Sequence, residues 1–197
     1  MTKGHLVLSL MLAAFAFKAQ AGLKEVPIVD APQPEQVIQS VTFTGAPGRV
    51  ATASIIDPQN GTDLVLWITH QKPDDVRHYS GVDNNHLGLV HGGMAGTEST
   101  LSVSKNGSLE INQMNDSVGR DRWQRTLTVS YVGGRYVISG FTYSFRDTLN
   151  PKVGGSCDYN LLSGQGTYNG RKVRVKSRAV NLEGFADTEK FYSCRGW

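Results

Sequence analysis

From Val37 onward the chain reads as short runs of β-branched and aromatic residues broken by turn dipeptides. Val37 to Thr44 alternates, with Val41 and Phe43 on one side. Val50 to Ile56 is followed by Asn60-Gly61, and Leu64 to Thr69 (LVLWIT) is an apolar run that predicts a central strand. Three hairpins are predicted by dipeptides that tolerate a positive φ. Asn106-Gly107 separates Leu101–Val103 from Leu109–Ile111, Gly133-Gly134 separates Leu127–Tyr131 from Tyr136–Ile138, and Asn169-Gly170 separates Gly166–Tyr168 from Val173–Val175. Beyond the N-terminal segment, no apolar i, i+3, i+4, i+7 pattern lasts three turns. The pattern predicts an all-β domain over 37–197, an antiparallel sandwich or barrel of eight to ten short strands.

The N-terminus has a different pattern. Lys3 precedes an apolar run from Leu6 to Phe17, and Ala19-Gln20-Ala21 is a small-x-small site. This is the layout of a cleavable secretory signal over residues 1–21. Lys18 ends the run well short of the roughly 20 apolar residues that a transmembrane helix needs. No later stretch is long and apolar enough to span a bilayer as a helix. Residues 22–36 hold three of the seven prolines and few large apolar side chains, which predicts a flexible leader ahead of one domain.

Export changes the reading of charge and cysteine. The chain has 20 Lys and Arg against 17 Asp and Glu; losing Lys3 and Lys18 leaves 18 against 17. Global charge then draws no polyanion, and anion binding must come from local clustering. Cys157 and Cys194 are the two cysteines, and in the oxidising periplasm or exterior an even pair predicts a disulfide. An exported chain does not meet cytosolic nucleic acid or nucleotides as ordinary partners.

Three segments carry candidate chemistry. His70 to Gly93 is dense in polar residues and contains His70, His78, His86 and His91 with Asp74, Asp75 and Asp83. These side chains are zinc or copper ligands by type, but their spacing lacks the close first pair of strong sites, so a long polar loop with surface histidines is the other reading. In Arg171 to Arg178, strand alternation puts Lys172, Arg174, Lys176 and Arg178 on one face about 7 Å apart. That ladder either holds phosphates, uronates or sulfates, or protects a sheet edge from aggregation. In Gly119 to Arg125, Arg120, Arg122 and Arg125 surround Trp123, the composition of a sugar- or base-stacking site; but Trp123 enters a strand, which favours a core tryptophan among solvated arginines.

Enzyme signatures are missing from the sequence: no G-x-S-x-G elbow, H-E-x-x-H, P-loop or EF-hand loop. Arg122 to Tyr131, Gly140-Phe-Thr-Tyr143, Asp147-Thr-Leu-Asn-Pro151 and Cys157 to Gly164 together resemble a pattern in small exported β proteins of Gram-negative bacteria. The resemblance covers about the last 80 residues, implies an exported bacterial β domain of no assigned activity, and transfers no catalytic residue. The expected function is a binding or interaction module of the bacterial envelope, for an acidic polymer or a protein partner. A secreted hydrolase or metal-dependent enzyme built on His70–His91 is the alternative, and an accessory that pairs through a strand edge is a third.

Overall fold

The computed structural model describes residues 33–46, 49–59, 63–72, 75–84, 87–92, 96–176, 179–183, 185 and 194, with the backbone alone for 70–72 and 75–84. A single turn of 3-10 helix at Pro34–Gln36 leads into twelve strands. The first four form an antiparallel sheet in the order β1 (Val37–Thr44), β2 (Val50–Ile56), β3 (Val65–Lys72), β4 (Asp75–Asn84). The others are β5 (Thr97–Val103), β6 (Leu109–Asn115), β7 (Asp121–Val132), β8 (Arg135–Asp147), β9 (Gly154–Asn160), β10 (Gln165–Tyr168), β11 (Arg171–Arg174) and β12 (Val180–Asn181). They form a larger antiparallel sheet in the order β11-β10-β9-β8-β7-β6-β5, with β12 pairing β8 beyond the end of β9. No helix among the described residues is long and apolar enough to cross a membrane.

The all-β expectation is met, with more strands than expected. The bounds of β1 and β2 match the sequence pattern residue for residue. The departure is His70 to Gly93, expected as a loop: its first part completes β3 and forms β4. The sequence of β4 carries no run of alternating apolar residues, the signal by which half-buried strands are recognised.

One apolar core lies between the sheets. Ala53, Ile55, Leu66 and Ile68 contribute from the small sheet, and Leu109, Ile111, Leu127, Val129, Phe141 and Tyr159 from the large one. Alternation fills this core because side chains two apart share a face. In β7, Arg125, Leu127 and Val129 are buried while Gln124 is exposed. Leu182 and Phe185 close the core from the C-terminal segment. Cys157 in β9 is joined to Cys194 with Cα atoms 5.6 Å apart, as the paired cysteines predict. The bond closes a separation of 37 residues, worth about 4 kcal/mol in the chain-entropy picture. The Tyr159 hydroxyl donates to the Cys194 carbonyl at 2.8 Å and holds the same junction.

The two sheets meet at β1 and β5 through a side chain. The Gln39 amide donates to the Leu101 carbonyl (3.0 Å) and accepts from the Leu101 N–H (2.8 Å), so it supplies the two bonds a neighbouring strand would give. At the far end of β1, the Thr44 N–H donates to the Gly107 carbonyl at 2.9 Å. Gln39→Ala leaves both Leu101 groups unpaired in a half-buried seam. It is expected to remove about 2 kcal/mol of stability, read as a lower urea midpoint at unchanged slope.

Candidate ligand-binding cleft

The centre of the large sheet is the β7–β8 hairpin. Gly133 (φ 60°) and Gly134 (φ 87°) make its tight turn, and from Val132↔Arg135 the strands pair residue for residue to Val129↔Ile138. A bulge then intervenes: Thr128 pairs Gly140, leaving Ser139 as the extra residue of β8. Ser139 is buried, its hydroxyl lies 2.7 Å from that of Ser130 and donates to the Thr128 carbonyl (3.2 Å), and its own carbonyl accepts from the Leu161 N–H (2.8 Å). Gly140 is required beside it, since a Cβ there would lie 2.9 Å from the Thr128 hydroxyl.

The bulge decides what meets at the open end of the hairpin. Without it, one-for-one pairing would set Arg122 opposite Phe145. With it, Trp123 pairs Phe145 and Arg122 pairs Arg146. Like charges directly opposite on neighbouring strands are unfavourable, by a few tenths to about 1 kcal/mol. Both guanidiniums are anchored by the turn between β6 and β7. Arg122 Nη1 donates to the Gly119 carbonyl (2.7 Å), and Arg146 Nη2 reaches Asp116 (3.2 Å) in an exposed ion pair. That turn is shaped by Asn115, whose amide donates to the carbonyls of Val118 (2.8 Å) and Asp121 (2.9 Å) while its oxygen accepts from the Val118 N–H (2.9 Å).

Here a cleft of about 390 Å³ opens where β6 ends and β7 begins, and side chains of both sheet faces converge on it. Arg122, Arg146 and Asp116 supply charge, Trp123 and Phe145 aromatic surface, and Asn115, Gln124 and Ser144 neutral hydrogen-bonding groups. Trp123 is half-buried against the core and stacks on Tyr143 with ring centroids 6.4 Å apart. One ring therefore serves both core and cleft.

The three arginines around Trp123 separate by strand parity and position. Arg122 lines the cleft. Arg125, expected among solvated arginines, is 1% exposed. It shares Trp123's parity and so points inward. Its Nε and Nη2 donate to Gln113 Oε1 at 3.0 and 2.5 Å, and Nη2 also donates to the Leu87 carbonyl (3.3 Å). Gln113 Nε2 donates to the Gly88 carbonyl (2.9 Å), the Ser99 N–H donates to the Val90 carbonyl (2.8 Å), and the Val90 N–H donates to the Ser99 hydroxyl (2.9 Å). Leu87–Val90 is thereby fastened beneath the large sheet.

Arg120 is held by Asp147 at 2.6 Å. The Asp147 carboxylate also accepts the N–H groups of Leu149 (2.8 Å) and Asn150 (3.1 Å), and Thr148 bonds the Arg120 carbonyl. These contacts clasp the β6–β7 turn to the β8–β9 loop beside the cleft. The Arg120 hydrogen bond, aided by the two N–H groups, lowers the Asp147 pKa to about 2, and Arg120 is raised in turn. Burial raises the phenols of Tyr136, to about 12, and of Tyr159.

The remaining predicted sites are dispersed. Lys172 and Arg174 are exposed on β11, an edge strand, but the strand ends at Arg174 because its partner β10 runs out at Gln165. The four-cation ladder is therefore shortened: Lys176 is exposed beyond the strand, and Arg178 lies outside the described residues. His70, on β3, pairs Ser80 in the backbone register, and His78 is on β4. His86 lies outside the described residues, and His91 is exposed. Among the described residues no three His, Cys, Asp or Glu side chains gather as metal ligands. Sequence reasoning missed Arg146 and Phe145, which become visible only through the bulged β7–β8 register, and Asn115, which the β6–β7 register sets opposite Trp123. No family model, curated protein or solved structure matches this chain.

Two outcomes follow for stability. Since folding lowers the Asp147 pKa from 3.8 to about 2, its carboxylate stabilises the fold fully above 3.8, and the contribution is lost as pH falls through 2. Thermal melts of Asp147→Asn are expected below the parent at neutral pH, with the gap closing between pH 4 and 2. Arg125→Met leaves Gln113 Oε1 and the Leu87 carbonyl short of donors and is expected to destabilise by about 3 kcal/mol in urea unfolding.

Proposed function

We propose that this chain is a binding module of the bacterial envelope, exported to the periplasm or beyond, whose β6–β7–β8 cleft takes an acidic, ring-bearing ligand such as an acidic sugar. The observation that carries this reading is the Arg122–Arg146 pair, set in register on neighbouring strands next to the Trp123–Phe145 pair, with all four side chains lining the cleft. Two like charges held together by the backbone are relieved by an anion that bridges them, and the fork geometry of guanidinium suits carboxylate, sulfate or phosphate. Trp123 lines the same cleft from the core-facing side of β7 and adds apolar ring surface, and Gln124, Ser144 and Asn115 offer partners for hydroxyls. The combination of charge, ring and amide is the chemistry of acidic-sugar recognition rather than of bare anion capture. The Cys157–Cys194 bond, together with the signal-like N-terminus, supports a working place outside the cytosol.

Trigalacturonate is the probe and maltotriose its neutral counterpart. Calorimetry is expected to show binding of the first, weakened by salt, and little of the second. Arg146 is exposed, and Asp116 is its described ion-pair partner, so Arg146→Gln is expected to leave the melting temperature nearly unchanged while weakening trigalacturonate about tenfold. Equal affinity for the two sugars, or an Arg146→Gln protein that binds as the parent does, would refute the assignment.

A further inference from the structure

The cleft and the cationic edge strand, far apart in sequence, share one face of the large sheet. Cross-strand partners project to the same side, so the register traces continuous rows. One row runs Thr126, Thr142, Asp158, Thr167, Lys172; the next runs Thr128, Gly140, Asn160, Gln165, Arg174. On the opposite side of the first lie Gln124, Ser144 and Ser156, and then Arg122 and Arg146. All of these residues alternate with core positions such as Leu127, Phe141, Tyr143 and Tyr159, so the rows form the outer face.

We infer that this outer face is an extended track for an acidic polysaccharide, running diagonally from the Arg122–Arg146 cleft to Lys172 and Arg174. The inference rests on the cleft reading above and deepens it from a single acidic sugar to a chain. From Arg146 to Lys172 the path crosses three strand spacings and four residues along the strand, which is about 20 Å on a flat sheet. Both ends are cationic. Between them Thr142, Ser144, Ser156 and Thr167 present hydroxyls, with Thr142 and Ser156 exposed. The carboxylate on the path, Asp158, accepts the Thr142 hydroxyl at 3.1 Å, and Asp116 at the cleft is engaged by Arg146. Glu98 and Glu110 lie on β5 and β6, off the diagonal. A polyanion that is also rich in hydroxyls matches a track with charge at its ends and hydroxyls along its middle. A nucleic acid would also want aromatic rings on which its bases could stack, and the middle of the track presents hydroxyls in their place.

The test compares trigalacturonate with octagalacturonate on the full mature chain. Two ends engaged by one chain give an intramolecular second contact, so the octamer is expected to bind more than tenfold tighter, beyond the few-fold gain from its several registers. Lys172→Gln/Arg174→Gln alters two exposed side chains and is expected to bring the octamer to within threefold of the trimer while leaving trimer affinity unchanged. Equal binding of trimer and octamer, a double variant that changes neither, or one that weakens both alike would overturn the track. If Arg146→Gln spares the trimer while the double variant weakens the octamer, the cleft reading fails and the track with it. If the trimer depends on Arg146 but the octamer is indifferent to the double variant, the cleft stands and the track falls. An oligodeoxynucleotide of equal charge that binds the parent as tightly as the octamer would overturn the sugar assignment.

Discussion

The arrangement of side chains at the cleft depends on one residue of excess length in β8. Two antiparallel strands that leave a tight Gly-Gly turn keep their register until something inserts into it, and Ser139 is that insertion. On the turn side of the bulge, Tyr131 faces Tyr136 and Val129 faces Ile138; beyond it, aromatic meets aromatic and arginine meets arginine. The extra residue is tolerated because its groups are satisfied: its hydroxyl by Ser130 and Thr128, its carbonyl by the Leu161 N–H. The bulge also lies where β9 gives way to β12 as the neighbour of β8, so the change of partner and the change of register fall together.

Around this hairpin, polar groups do different work according to the water they keep. Arg125 has lost nearly all of its water and ties Gln113 and the Leu87 carbonyl into the core side of the sheet. Arg120 keeps its water and clasps a carboxylate that is itself mostly buried. Arg122 and Arg146 are anchored at the turn and open toward the cleft. The first arrangement fixes a chain segment that carries little regular structure of its own. The second fixes two loops. Only the third leaves charge, ring and hydrogen-bonding groups facing a space large enough for a ligand.

The sequence was informative wherever burial imposes alternation. Phe43 and Val41, the apolar run at Leu66 and Ile68, and the glycine and asparagine turns are each read locally, and each predicts a strand or hairpin that the structure contains. It failed at β4, whose polar sequence carries no run of alternating apolar residues, and at β9, whose glycines mask the pattern of Cys157 and Tyr159. It also placed Arg125 in solvent, because an arginine beside a tryptophan looks superficial until the parity of the strand is counted.

By itself, then, the sequence determined the all-β class, the pairing of the two cysteines, the position of the main turns, and the presence of arginines and a tryptophan in one short segment. These follow from local chemistry: φ preferences, period-two alternation, and thiol arithmetic. Which residues stand opposite Arg122 and Trp123 was decided only by the tertiary structure. Register is a long-range property, and the residue that shifts it, Ser139, carries no local mark that separates it from any other serine in a strand. The same holds for the shared outer face of the cleft and the β11 edge, which are brought onto one surface by five strands pairing in order.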